Sequence, residues 1–382
     1  MTAVRTGLDT LLRSGRPLFA GERVGLATHA AAVTADLRHG ADALLAAGAD
    51  LRALFGPEHG MRGTAPAGAS EGERRDAGTG LPVHDTYLKE GPALAELVER
   101  AGIDVLLVDL QHVGVRFFTY ESTLYDLIAA TAATGTRLVV LDRPDPLGGH
   151  AVQGPPLDEA FSSFVGRTPL PLRHGMTMGE LAPLFAERLG APVPEVVPLE
   201  GWTGGVWQST GLPWVPPSPN LPTPAAAHCY PGSCLFEGTN LSVGRGTATP
   251  FEFVGAPWLD GSLAAGLRAL DLPGVRFREA WTSATADVHA GEPVCGVQWH
   301  VTDPDVFEPL TAAVELLALL LARWPERFAF RDRHFDLLAG GDRLRTDLLA
   351  GVSPQRITAA WTASAEQFAG HDRLPHLRYP RA

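Results

Sequence analysis

The sequence predicts an α/β protein: a Rossmann-like parallel sheet with helices on both faces, followed by a smaller α+β region. Three observations carry this. Short apolar runs alternate with helix-spaced segments through the first part of the chain, the βα repetition that builds parallel sheets. The runs at Ile103–Leu110 (IDVLLVDL) and Arg137–Leu141 (RLVVL) are continuously apolar, as strands covered on both faces are. Finally, four successive runs end in polar, ionisable residues, and in open parallel sheets ligands bind beyond the carboxyl ends of the strands.

In order, Thr6–Arg13 reads as a short amphipathic helix and Arg23–Thr28 as the first strand, ending at Thr28-His29. Asp36–Gly48 has helical spacing and closes on a glycine. Leu51–Phe55 is the second strand. It breaks at Gly56-Pro57 and presents Glu58 and His59 before Gly60, with Pro57 fixing one torsion between two permissive glycines. Arg62–Gly80 has no periodicity and reads as a long loop of the kind that serves as an active-site lid. Leu81–His84 is a short edge strand, Pro92–Gly102 a helix, Tyr120–Thr134 a helix. The third and fourth strands deliver Asp109, Gln111 and His112, with Arg116, and then Asp142 and Arg143.

Beyond Pro144 the texture turns to Pro, Gly and short apolar pieces. Thr177–Leu189 is a helix with Thr177 as N-cap and Glu180 completing a capping box. Val196–Leu199 is a strand. Leu212–Pro224 (LPWVPPSPNLPTP) is too rich in proline for helix or central strand and reads as an extended crossover. Gly238–Trp258 carries Asn240, Arg245 and Glu252 among glycines and reads as a binding loop rather than a core element. Gly296–Thr302 alternates like a strand, Asp305–Arg323 is a helix, and Asp332–Leu374 is a polar helical cover. At 382 residues the chain exceeds a single ordinary core. The crossover places the boundary, giving domains of residues 1–212 and 213–382.

The formal charge is -12, from 31 basic and 43 acidic residues, and no basic cluster stands out, which argues against nucleic acid as ligand. Three cysteines, Cys229, Cys234 and Cys295, form no disulfide framework and fit a reducing compartment. The first nineteen residues lack the pattern of a signal peptide, and no stretch reaches the roughly 20 apolar residues of a membrane span. A cytoplasmic protein without membrane contact is expected.

Several chemistries are excluded by missing motifs. There is no GxGxxG after the first strand, no GxxxxGK[ST] and no GxSxG. What remains is a rim of carboxylates, imidazoles and guanidiniums. A carboxyl at the Glu58 position, in a concave rim, can protonate a leaving oxygen, and many glycosidases pair such an acid with a second carboxylate. Asp109, Glu121, Asp142 and Glu237 are candidates for the second group, as is Tyr120. Arg116, Arg143 and Arg245 match an anionic substrate group. Trp202, Trp207, Trp214 and Trp258 offer rings for a sugar to stack on. A metal hydrolase built from His29, His59, His112, His174 and Asp109 is the competing reading. No HxH or HExxH spacing supports it, so neither metal nor cofactor is expected. A sugar-binding module without chemistry is the other competitor. Asp142-Arg143 also reads as a structural salt bridge, and His174 and His300 as structural.

Nine segments then resemble one family in order and spacing: FGPEHGMRG, TGLPVHDTY, IDVLLVDLQHVGVRFFTY, VVLDRPDPLGG, VQGPPLD, FVGRTPLPLRHGMTMGELA, TGLPWVPPSPNLPT, YPGSCLFEGTNLSVGRGTATPFEFVGAPW and CGVQWHVTD. The chain is similar, over roughly Leu8–Arg345, to the exo-β-N-acetylmuramidase family typified by NamZ. The resemblance implies a Rossmann-like domain, a smaller C-terminal domain and a cleft between them. It implies release of N-acetylmuramic acid from the non-reducing ends of peptidoglycan fragments, with a muropeptide or a muramic-acid-containing disaccharide as substrate. It also implies that Glu58, the glutamate of GPEHG, is the essential acid. With the strand-end argument, Glu58, His59, Tyr120 and Asp109 are the catalytic candidates. His112, Arg116, Glu121, Asp142, Arg143, Asn240 and Arg245 are the substrate-binding candidates. Members of the family often carry an export signal; without one, the substrate expected here is an imported disaccharide.

Overall fold

The computed structural model describes residues 4–14 and 19–381. Residues 1–3 and 15–18, part of the stretch read above for an export signal, lie outside the described residues, as does residue 382. The chain runs through α1 (Gly7–Arg13), β1 (Val24–Thr28), α2 (Gly40–Ala46), β2 (Leu51–Gly56), β3 (Arg74–Arg75), β4 (Pro82–Asp85), α3 (Gly91–Ala101), β5 (Val105–Asp109), α4 (Tyr120–Thr134) and β6 (Arg137–Leu141). A hairpin of β7 (Gln153–Pro156) and β8 (Pro171–Arg173) follows, then α5 (Met178–Leu189) and β9 (Glu195–Val197).

Seven strands form one sheet in the order β3-β4-β2-β1-β5-β6-β9. All pairs are parallel except the short β3–β4 edge. The continuous apolar runs are explained by how the pleat divides them. On β5, Val105 and Leu107 face α1 and α2, while Leu106 and Val108 face the other core; on β6, Val139 and Leu141 against Leu138 and Val140 repeat the split. Both faces are covered, so neither parity can be polar. α5 begins as its sequence dictates, with the Thr177 hydroxyl accepting from the Glu180 backbone N–H and the Glu180 carboxylate returning to the Thr177 N–H.

The second half holds α6 (Pro224–Ser233), β10 (Phe253–Ala256), α7 (Ser262–Arg268), β11 (Val275–Thr282), β12 (Val294–Val301), α8 (Pro309–Arg323), α9 (Asp332–Ala339), α10 (Arg343–Leu349) and α11 (Pro354–Gln367). Its antiparallel sheet has the order β10-β12-β11. The core on the α3–α5 face runs on into this half through Tyr230, Phe251 and Phe335.

Two expectations change. The stretch 238–258 is not wholly a binding loop: Leu241, Val243 and Phe251 are buried, and β10 is an inner-face strand paired to β12. The loop after Glu58 is not a loose lid. Its backbone is tied to two buried carboxylates. Glu71 accepts from the Arg62 and Thr64 N–H groups at 3.2 and 3.1 Å, and Asp76 takes the Arg62 guanidinium through two bonds of 2.8 Å. Gly60, at φ +80°, is required here, since a Cβ would lie 2.1 Å from the Glu71 side chain.

Candidate active site

Beyond the carboxyl ends of β2 and β5, between the sheet and the C-terminal half, lies a cavity of about 780 Å³. That volume suits a sugar or disaccharide. Glu58, His59, Tyr120 and Arg245 line it; Asp109, His112, Arg116, Glu121, Asp142, Arg143 and Asn240 do not. A smaller cavity of about 470 Å³ beside α11 holds none of the candidate residues.

Glu58 is half-buried at the turn that follows β2. Its Oε1 accepts from the Gly68 N–H at 2.7 Å and its Oε2 from the Thr119 hydroxyl at 2.6 Å. Thr119 is the N-cap residue of α4, so its hydroxyl serves Glu58 in place of the helix. His59 is buried and adopts φ +68°, a region that costs a non-glycine residue energy. Its Nδ1 donates to the Ala65 carbonyl at 3.1 Å, which leaves Nε2 to accept from the Ser218 hydroxyl at 3.1 Å. The imidazole thereby ties the loop after Glu58 to the proline-rich crossover. Tyr120 is buried, and its hydroxyl donates to the Glu58 and Pro217 carbonyls at 3.3 and 3.2 Å. Burial pushes its phenol well above the usual range, with the Glu58 charge adding to the effect. Tyr120 is therefore built as a donor that holds the turn carrying Glu58.

The wall is aromatic, but not with tryptophan. Tyr87 meets Phe164 edge-on at 5.5 Å, and Phe118, Tyr230 and Phe251 continue the surface. The tryptophans pack elsewhere: Trp202 on Tyr379, Trp207 on Trp214, Trp258 near Trp324. Arg245 lies over the Phe251 ring at 5.0 Å and pairs through Nε with Glu237, which also lines the cavity.

The other candidates lie outside the cavity, each with an internal partner, and this corrects the expectation that the strand ends hand them all to the ligand. Asp109 is fully buried and holds Arg143 through bonds of 2.6 and 3.0 Å. Asp142 accepts from the Thr177 hydroxyl, the Tyr379 hydroxyl and the Gly179 N–H. Arg116 spends its guanidinium on carbonyls of Pro155, Leu170 and Ala339, stitching the two halves together. Asn240 ties its own loop to Arg327 and Ala329. The ends of β5 and β6 are thus satisfied inside the protein, Asp109 by Arg143 and Asp142 by hydroxyls and a backbone N–H, because a charge delivered under a covering domain has to be paired or hydrogen-bonded.

Glu121 shares its Oε1 between His112 Nδ1 at 3.1 Å and His174 Nε2 at 2.9 Å. Burial raises the Glu121 carboxyl to about 7 and lowers His174 to about 4. Among the described residues this is the group whose ligand atoms, all within 4.8 Å of one another, have the spacing of a metal site. All three residues are buried and already bonded to one another, with Arg116 adding positive charge nearby.

Residues that sequence reading did not single out complete the cavity: Gly68 and Thr119 on Glu58, Ser218 on His59, and Tyr87 and Arg331 in the wall. The signal for Thr119 was its place beside Tyr120; the others carry no local pattern.

The N-terminal model of the exo-beta-N-acetylmuramidase NamZ family matches residues 24–225, and its C-terminal model matches residues 228–379. The chain belongs to the NamZ family. The peptidoglycan beta-N-acetylmuramidase NamZ of Bacillus subtilis (strain 168) is 40% identical over 372 residues, covering 96% of this chain and 89% of that protein. Crystal structures of two DUF1343 family proteins from Bacteroides fragilis NCTC 9343 have the same fold, at TM-scores of 0.89 and 0.80. Each is 31% identical and covers 99% of this chain, with 100% and 99% of the relatives' own chains matched. Membership in the NamZ family and the α/β architecture thus agree with the motif resemblance.

Proposed function

We propose that the chain is an exo-β-N-acetylmuramidase: a glycoside hydrolase that releases N-acetylmuramic acid from the non-reducing ends of peptidoglycan fragments, with Glu58 as general acid/base. The observation that carries the reading is the placement of Glu58. It is held by two neutral donors, Gly68 and Thr119, in the wall of a sugar-sized cavity, in a chain of the NamZ family. The two donors, one from the loop and one from the start of α4, fix the direction of the carboxyl in the cavity, and a reacting group must be held in place to contribute. The lactyl carboxylate that distinguishes N-acetylmuramic acid from N-acetylglucosamine meets two guanidiniums in the wall. Arg245 has a buried NH1 without an acceptor, and Arg331 has no side-chain partner among the described residues. The aromatic wall suits the apolar face of a pyranose ring.

The test uses 4-nitrophenyl β-N-acetylmuramide and its N-acetylglucosamine counterpart, each with and without chelator. Turnover of the muramide alone, indifferent to chelator, supports the reading. Turnover of neither sinks it, and loss on chelation moves the chemistry to the His112–Glu121–His174 group. Glu58→Gln keeps the shape and one acceptor, for the Gly68 N–H, while the Thr119 hydroxyl can turn to accept from the new amide N–H, but it cannot donate the acid proton. Release of N-acetylmuramic acid from a disaccharide should fall about a hundredfold or more, at an unchanged melting temperature.

A further inference from the structure

We infer that Glu237 is the second catalytic carboxylate of this site, with Arg245 as its positioning residue. This rests on the muramidase reading and names the group that reading leaves open.

The first argument is elimination. In most glycosidases the second group, besides the acid, is another carboxylate of the protein. Asp109, Glu121 and Asp142 are buried outside the cavity and bonded to Arg143, to two histidines, and to Thr177 and Tyr379. The Tyr120 hydroxyl donates to backbone carbonyls. In the cavity wall three carboxylates remain: Glu58, Glu237 and Asp287. Asp287 is exposed on a loop and has no side-chain hydrogen bond or ion pair among the described residues.

The second argument is construction. Glu237 sits on the 3-10 turn Cys234–Gly238, with its side chain 22% exposed. Its Oε1 receives Arg245 Nε, and its Oε2 lies 3.4 Å from Cys234 Sγ, whose proton points at it. Arg245 is in turn immobilised over the Phe251 ring. Reacting groups must be held in place to contribute, and this one is held from both sides. The two carboxylates are also held differently, Glu58 by two neutral donors and Glu237 by a guanidinium and a thiol.

The chemistry balances. Glu58 gives its proton to the glycosidic oxygen as the C1–O bond breaks and its electron pair leaves with that oxygen. Water adds to C1, and the proton it sheds goes to Glu237. Exchange with solvent restores both groups.

The experiment compares wild type, Glu237→Ala, Glu237→Gln, Arg245→Ala and Arg245→Lys on 4-nitrophenyl β-N-acetylmuramide. Both Glu237 variants should lose about a hundredfold or more in kcat with KM little changed. Added azide or formate should return part of the kcat of Glu237→Ala and none to wild type. The acidic limb of the wild-type pH profile, which reports the base, should vanish in Glu237→Gln. In Arg245→Ala kcat should fall, and Arg245→Lys should regain part of it, because a cation again holds the carboxylate in place. If Glu237→Ala does not fold, the Glu237→Gln pH profile alone decides. A kcat within about tenfold of wild type overturns the inference. So does a loss without rescue in a variant that melts like wild type, which makes Glu237 structural. An inactive wild type defeats the muramidase reading itself and the inference with it; an active wild type with unaffected variants defeats the inference alone.

Discussion

Glu58 shows what a single side chain can and cannot disclose. Its position was legible because Gly-Pro-Glu-His-Gly is an expensive turn, and His59 at φ +68° confirms that the backbone there is strained. Its partners were not legible. Gly68 and Thr119 approach from segments ten and sixty-one positions away, and nothing in a glycine or a threonine announces such a contact. The Thr119 hydroxyl is testable on its own. Thr119→Val keeps the shape and removes the donor to Oε2. A hydrogen bond contributes about 0.5–1.5 kcal/mol, so kcat should drop roughly two- to tenfold, with the melting temperature nearly unchanged. Equal activity in the two proteins would mean that Gly68 alone suffices to aim the carboxylate. Asp109, Arg143 and Asp142 illustrate the converse: polar strand ends are visible in sequence, but whether they face ligand or one another depends on what covers them. Here the crossover and the C-terminal half do.

At the scale of elements, α4, β5, β6 and the capping box of α5 were written in local pattern and formed where expected. The helix α6 was not, because PAAAHCYPGS carries Pro231 and Gly232 inside it; the helix is capped by Thr223 and packs on α8. The strand β11 was missed because its burial does not alternate: Val275 and Phe277 are buried on one face, then Ala280 on the other, with Arg276, Arg278 and Glu279 exposed. The segment from His59 to Asp76 has no period at all, yet it is ordered by its two acidic anchors. The Arg62 guanidinium holds the Asp76 carboxyl well below the usual carboxylate range. A carboxyl so depressed contributes stability above its unfolded pKa of about 3.9, and that contribution is lost as pH falls through the folded value. Asp76→Asn should therefore loosen this loop at neutral pH, where the native ion pair is complete. Because Gly68 belongs to the same loop, kcat should fall as well. Limited proteolysis would show a new cut between residues 62 and 80. Cleavage no faster than in wild type, with full activity, would show that Glu71 holds the loop without Asp76.

For the whole molecule, the buried polar groups outside the cavity make a prediction about pH that no single contact does. Burial raises Glu121 to about 7 and both Asp142 and Asp145 to about 6. These groups fold more readily protonated than charged. Their stabilising contribution is complete below the unfolded carboxyl range, near 4, and is lost as pH rises through 6 and 7. His174, lowered to about 4, acts in the opposite sense: its contribution is complete above the unfolded imidazole value of about 6.5 and is lost as pH falls. Wild-type stability is the sum of both, so the carboxyl share has to be isolated. Glu121→Gln does this, since the amide oxygen can take the place of Oε1 between the two imidazoles without a charge. The variant should match wild type near pH 4 and melt higher at pH 8, the gap opening between about pH 4 and pH 7. Parallel melting curves across that range would show that Glu121 stays ionised in the folded protein, held by its two histidines. That result would turn these groups from a set of shared protons into a charged cluster outside the cavity, and would make the His112–Glu121–His174 group a stronger candidate for a bound cation.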